Sequence, residues 1–175
     1  MVNQSFDDFV NRQAAEAKET EVDWEARLKE WKRYLQEFYE LVEKHLHKYV
    51  SEGKISLDYS EKTIEEERLG TYSARSQTVS IGKNRVRFDP VGTIVVAARG
   101  RVDMVGPSGS SKFVLVPKES TGPTIRVTIR EEGQDVPEEP ALAPVEEWAW
   151  KIATPPHIPI EEESLFEAIM EVSNG

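Results

Sequence analysis

The residues in this chain best suited to chemistry are arginines. Arg85 and Arg87 stand two apart, as do Arg99 and Arg101; Arg126 and Arg130 stand four apart. On a β-strand, residues at even spacing project from one face, so each pair can present two guanidinium groups together. A guanidinium is a planar fork that matches carboxylate or phosphate oxygens. If their strands are neighbours, these arginines are expected to line one sheet face able to bind an anion or a partner. The competing reading is a solvated face, or one neutralised by the acidic residues 131–147 and 161–163 of the same chain, and it is preferred. Single-stranded RNA would require aromatics exposed among the basic residues. Phe88 and Phe113, the phenylalanines of this region, read as core, so nucleic acid is not expected.

Trp148 and Trp150 also share one face of an expected strand, in an acidic stretch between proline-rich segments. They could anchor a partner, although tying the C-terminal segment onto the sheet is the preferred role.

Other reactive groupings are missing from the sequence. Cysteine does not occur, which removes thiolate metal sites and cysteine nucleophiles. His45 and His47 are two apart on an expected helix and point about 200° away from each other, whereas a helical zinc pair needs a spacing of four. No Gly-x-Ser-x-Gly elbow is present. Gly106 to Lys112 has the composition of a phosphate loop but lacks Gly-Lys-Ser/Thr, and a strand rather than a helix follows it. Glutamates are abundant, yet no pair stands in an apolar setting that would raise a carboxyl pKa. No catalytic residue, metal or cofactor is assigned, and the reading leans away from an enzyme.

The elements that must position the arginines and tryptophans follow from hydropathy. Phe6, Phe9, Val10, Ala14 and Ala17 fall on one helical face. Trp24, Leu28, Trp31, Leu35, Phe38, Val42 and Tyr49 continue at helical spacing, widened by Leu41 and Leu46, and Gly53 is a natural stop. Thr20 and Asp23 repeat an N-cap signal, so a break is expected near Thr20. From Lys54 the period shifts toward two. Ile55 to Tyr59, Thr78 to Ile81, Val86 to Phe88, Thr93 to Ala98, Arg101 to Val105, Phe113 to Val116, Ile125 to Ile129 and Val145 to Ala153 read as strands, with residues 61–69 ambiguous. Asp89-Pro90-Val91-Gly92 reads as a turn. Glu161 to Val172 is a closing helix. Strands at roughly ten-residue spacing without intervening helices predict an antiparallel meander. The fold class is therefore α+β: a long N-terminal amphipathic helix on a meander of about six to eight strands, with a short C-terminal helix. The regions are 1–53 (helical), 54–130 (meander) and 131–175 (acidic linker, tryptophan strand and helix), and they are expected to share one folded unit. The helix stripe over 21–50 suits packing on the sheet; its bulky aromatics make a homodimer seam there the secondary reading.

Charge is unevenly distributed along the chain. The total is −10, yet residues 71–130 hold ten Lys/Arg against three Asp/Glu, and residues 131–175 hold one against twelve. No apolar run is long enough to span a bilayer, and the N-terminus lacks the pattern of a secretory signal; a cytoplasmic protein without a membrane role is expected. The overall expectation is a non-enzymatic binding protein, an inhibitor, adaptor or immunity-type neutraliser, whose acidic segments meet another, basic protein. The alternative is a binder of an anionic small molecule or nucleic acid through the arginine face.

Overall fold

A computed structural model describes residues 4–93, 98–120, 147–154 and 156–174, with the backbone alone at 4, 5, 16 and 19–23. The chain begins with one helix, α1, Gln4–Ser51. Its apolar stripe becomes a buried seam from Trp31 onward: Trp31, Leu35, Phe38, Val42 and Leu46 are all buried, with Tyr39 beside them. Leu28, Leu41, Tyr49 and Val50 flank the seam, partly buried. From Trp31 to Leu46 this stripe packs on the chain's own sheet.

The break expected near Thr20 does not occur, and α1 runs unbroken through that position. Thr and Asp compete for backbone hydrogen bonds, but unlike proline they do not block the helical ladder. The end of α1 is set locally. Gly53 takes a left-handed φ of 71°, and Lys54 N–H donates to the Tyr49 carbonyl at 2.9 Å, closing the terminal carbonyls.

Seven strands follow: β1 Ile55–Glu66, β2 Gly70–Ile81, β3 Asn84–Gly92, β4 Gly100–Gly106, β5 Gly109–Pro117, β6 Trp148–Ile152 and β7 Ile158–Pro159. They form one sheet in chain order, and each neighbouring pair is antiparallel. This is the expected meander. Two expectations need correction. The ambiguous stretch 61–66 is strand, in register with 70–75, because cross-strand pairing outweighs the weak β-propensity of its glutamates. Residues 89–92 do not turn; they continue β3, and the shift of register between Pro90 and Gly92 absorbs the proline as a bulge. The strands expected at 93–98 and 125–129 lie mostly or wholly outside the described residues.

One face of the sheet meets α1. Val79, Val86, Phe88, Val102, Met104, Phe113, Leu115, Trp150 and Ile152 are buried there. Phe38 stands at the centre, its ring centroid 5.5 Å from Phe88, 5.3 Å from Phe113 and 5.0 Å from Trp150. Along β2 the buried side changes at Ser76 and Gln77, both buried, so Tyr72 and Ala74 join the core from the other parity.

Helix α2, Glu162–Asn174, buries Leu165, Ala168, Ile169 and Val172. The β4–β5 turn holds its C-terminus: Ser108 N–H donates to the Val172 carbonyl at 2.8 Å, and Ser108 Oγ to the Ser173 carbonyl at 3.3 Å. Gly106 makes this approach possible, because a β-carbon there would strike the Val172 backbone; Gly109, its cross-strand partner, faces open space. Gly106→Ala is therefore expected to destabilise the fold by about 1–3 kcal/mol through overpacking. Gly109→Ala, across the same turn, should leave the urea midpoint nearly unchanged, and equal losses in the two variants would contradict this packing.

Candidate functional site

The outer face of β3 and β4 carries three of the arginines singled out from the sequence. Arg85 and Arg87 are exposed on β3; Arg101, on β4, pairs with Gly92, so the Asp89–Asp103 pair separates it from Arg87. Arg87 and Arg101 each find a carboxylate two residues along their own strand. Arg87 Nη2 lies 3.2 Å from Asp89 Oδ2. Arg101 grips Asp103 with both ends of its fork, at 2.6 and 2.7 Å, and this bonding holds the Arg101 proton more tightly than usual. Asp89 and Asp103 are direct cross-strand partners, an arrangement of like charges that is unfavourable alone. Arg87, Arg101 and Lys62, whose Nζ is 2.9 Å from Asp89, offset it.

Arg99 does not join this face. It is directed to α1, where Nη1 meets both Glu30 oxygens at 3.1 Å, and its guanidinium covers the Trp148 ring at 4.6 Å. Arg126 and Arg130 lie outside the described residues. Of the four described arginines of the set, only Arg85 has no hydrogen bond or ion pair among the described residues. The described partners of the other three are Glu30, Asp89 and Asp103; neither Glu147 nor Glu161 to Glu163 is among them.

The tryptophans divide similarly. Trp150 is buried, with its ring 5.9 Å from Trp31 and its Nε1–H donating to the Tyr34 carbonyl at 2.9 Å. Trp148 is half-buried beneath Arg99. Trp150 fastens β6 to α1 directly, and Trp148 packs on Arg99, which in turn bonds Glu30 of α1. Lys151, between them and Ile152, is buried facing away, and its ammonium donates to the carbonyls of Lys118 and Ser120, each at 2.6 Å.

The acidic surface of α2 is arranged differently. Glu161, Glu162, Glu163, Glu167 and Glu171 are all exposed, and among the described residues no cation pairs with any of them. Glu163, Glu167 and Glu171 repeat every fourth residue, so they form a stripe. Met170, 58% exposed, lies on the same side. Sequence reading reached the acid of this segment, but not that α2 would have no cation partner among the described residues. It also missed Asp89 and Asp103, although the Arg-x-Asp spacing in each strand was a usable signal. Glu30 carried no such signal, since its pairing with Arg99 depends on how α1 crosses the sheet.

A groove of about 350 Å³ lies between α1 and the β1–β2 ribbon, floored by Leu35, Tyr39 and Ala74 and rimmed by Lys32, Glu61 and Arg75. Its polar groups largely serve one another: Ser73 Oγ donates to Glu61 at 2.5 Å, and the Tyr39 hydroxyl donates to the Arg75 carbonyl. Deeper along the ribbon, the buried Glu66 accepts hydrogen bonds from the Tyr72 hydroxyl at 2.6 Å and from Thr93 N–H at 2.8 Å and Oγ1 at 2.9 Å. Among the described residues no group of His, Asp or Glu is placed to hold a metal ion, and no helix is long and apolar enough to cross a membrane. No known family model, curated protein or solved structure matches the chain.

Burial raises the pKa of the Tyr39 hydroxyl, assisted by Asp89, and that of Tyr72, assisted by the bond to Glu66. A raised folded pKa means that the stabilisation is complete below the ordinary tyrosine value of 10.0 and is lost as pH rises above it. Tyr39→Phe should cost about 0.5–1.5 kcal/mol at neutral pH through the lost hydrogen bond. Its stability should then fall less than that of the wild type between about pH 8 and about pH 11. Urea unfolding at the two pH values measures both effects, and parallel declines would exclude a raised Tyr39 pKa.

Proposed function

We propose that the protein acts by contact with another, basic protein, and that the outer face of α2 is the docking surface. The observation carrying this reading is the contrast between the two charged surfaces. Of the described arginines singled out from the sequence, Arg87, Arg99 and Arg101 already have carboxylate partners within the chain. The five glutamates of residues 161–171 have no described cation. A surface of one sign raises the local concentration of a partner of opposite sign and accelerates encounter. Met170 supplies what charge cannot. An apolar side chain amid carboxylates gives a partner something to bury, while the glutamates around it set orientation. The packing beneath supports such a use: Leu165, Ala168, Ile169 and Val172 fix α2 on its inner side, so the outer face is presented on a rigid element. An anion-binding role for the arginine face is less well supported, because an incoming anion would have to compete with Asp89 and Asp103 for the same forks.

The test is recovery of a partner from the native host at low salt, using the full chain and a Glu163→Lys/Glu167→Lys/Glu171→Lys variant. The triple variant keeps the four-residue spacing of like charges on α2, so its unfolding midpoint should remain close to that of the wild type. The wild-type chain should retain a basic protein that is released as salt rises to about 0.5 M, where exposed charges are screened within a few ångströms. The variant should retain none. A partner held equally by both chains, or none at low salt, would refute the docking surface.

A further inference from the structure

The sheet has two edges, and they differ greatly. At one end β7 is two residues long and leads directly into α2. At the other end stands β1, twelve residues long and paired with β2 along its whole length. The other side of β1 has no backbone partner among the described residues. Asp58, Tyr59, Ser60 and Glu61 are exposed in succession. Successive strand residues point to opposite faces: Asp58 and Ser60 are open on one, while on the other Tyr59 lies against Tyr39 of α1 and Glu61 rims the groove beside that helix. An edge of this kind offers a row of unpaired N–H and C=O groups to any extended chain that can approach.

Proteins commonly blunt such edges with proline, bulges or lysine. β1 contains no proline, and its register with β2 is continuous. Its one lysine, Lys62, is drawn away to Asp89 and to the Pro90 carbonyl at 3.0 Å. What remains at the edge is acid: Asp58, Glu61 and Glu65 are exposed, and the Tyr59 hydroxyl donates to a further carboxylate, Glu43 of α1. Glu61 is partly satisfied by Ser73 and by Arg75 at 3.9 Å. Asp58 and Glu65 have no described partner.

We infer that the free edge of β1 binds an extended, basic segment of another protein by strand addition. Backbone hydrogen bonds would supply the pairing, and lysines or arginines at alternate positions would stand opposite Glu61 and Glu65, which lie four residues apart on the strand. The charge decides between occupants. A second copy of β1 laid antiparallel on the first would set these carboxylates against one another, which is unfavourable. The inference is independent of the α2 surface and uses different residues and a different mode of recognition.

The probe is a short capped peptide alternating lysine with valine, titrated against the full chain. Backbone amide exchange is followed through residues 57–65. Binding should slow alternate amides of β1, because neighbouring N–H groups point to opposite sides of a strand. A lysine–alanine peptide of equal charge that forms a helix should bind at least about tenfold more weakly, since it cannot satisfy the strand edge. The Glu163→Lys/Glu167→Lys/Glu171→Lys variant should bind the strand peptide as the wild type does, which separates this result from the α2 reading. Ser60→Pro and Glu61→Pro add a second check. One of the two removes an outward donor, keeps the fold and loses the peptide; the other breaks the ladder to β2. Equal affinity for the helical peptide, unchanged exchange in β1, or a dimer that protects the same amides without peptide would each overturn the inference. So would undiminished affinity in the proline variant that keeps the fold.

Discussion

The fold is organised around Phe38. Fully buried on α1, it touches rings from three strands, Phe88 of β3, Phe113 of β5 and Trp150 of β6, all within 5.5 Å. Phe88 and Phe113 contact each other at 5.8 Å. Edge-to-face and tilted pairs of this kind add about 0.5–1.5 kcal/mol each to what burial alone supplies. Their greater effect is positional. A ring lodged among three others fixes both where α1 crosses the sheet and its rotation about its own axis. Trp31, Leu35, Val42 and Leu46 must then face the strands. Glu30 comes to lie beside Arg99, and the Tyr34 carbonyl meets the Trp150 indole. Phe6, Phe9 and Val10, on the far N-terminal turns of the same helix, remain exposed.

That placement also governs the electrostatics. With α1 covering one sheet face, the β3–β4 arginines are left on the other, where no helix is available to neutralise them. The chain resolves this within the strands. Even spacing puts Asp89 on the same side as Arg87 and Asp103 on the same side as Arg101, and antiparallel register brings the two carboxylates opposite each other. Each exposed pair contributes little, about 0–1 kcal/mol. As a connected set, however, they satisfy Arg87 and Arg101 on their own strands. Among the described residues, the glutamates of α2 are left exposed and without a cation.

Much of this could be read from the sequence, because local periodicity and one-sided burial produce it. The seam from Trp31 to Leu46, the meander, the Gly106–Gly109 hairpin and the closing helix each carry their own signal. The continuity of α1 at Thr20 could not be read in the same way, because a cap signal states a local preference and not whether the next turn will override it. Residues 61–66 and 89–92 were misjudged for a related reason. Glutamates and a proline disfavour strand locally, while β2 and β4 supply the hydrogen bonds that decide the outcome. Partner assignment was the least legible. Arg87 with Asp89 needs only the strand period, but Arg99 with Glu30 spans 69 residues of sequence and follows only from the rotation that Phe38 imposes.

The two sheet edges show how one constraint distributes across the molecule. A meander in chain order necessarily leaves its first and last strands at the edges. At the last, β7 is reduced to two residues and the chain turns at once into α2, whose C-terminus is held by the β4–β5 turn. At the first, the strand cannot be shortened without losing the core: Ile55 and Ile64 near its two ends are buried, and Glu66 anchors Thr93 from its last position. β1 must therefore be long, and its middle, Asp58 to Glu61, is exposed, with Tyr59 tied to α1 through Glu43. A long open edge made of apolar residues would invite self-association. Asp58, Glu61 and Glu65 make identical edges repel while leaving the backbone groups accessible. On the strand-addition reading, the same acid that disfavours a second β1 there would select the charge of a pairing strand.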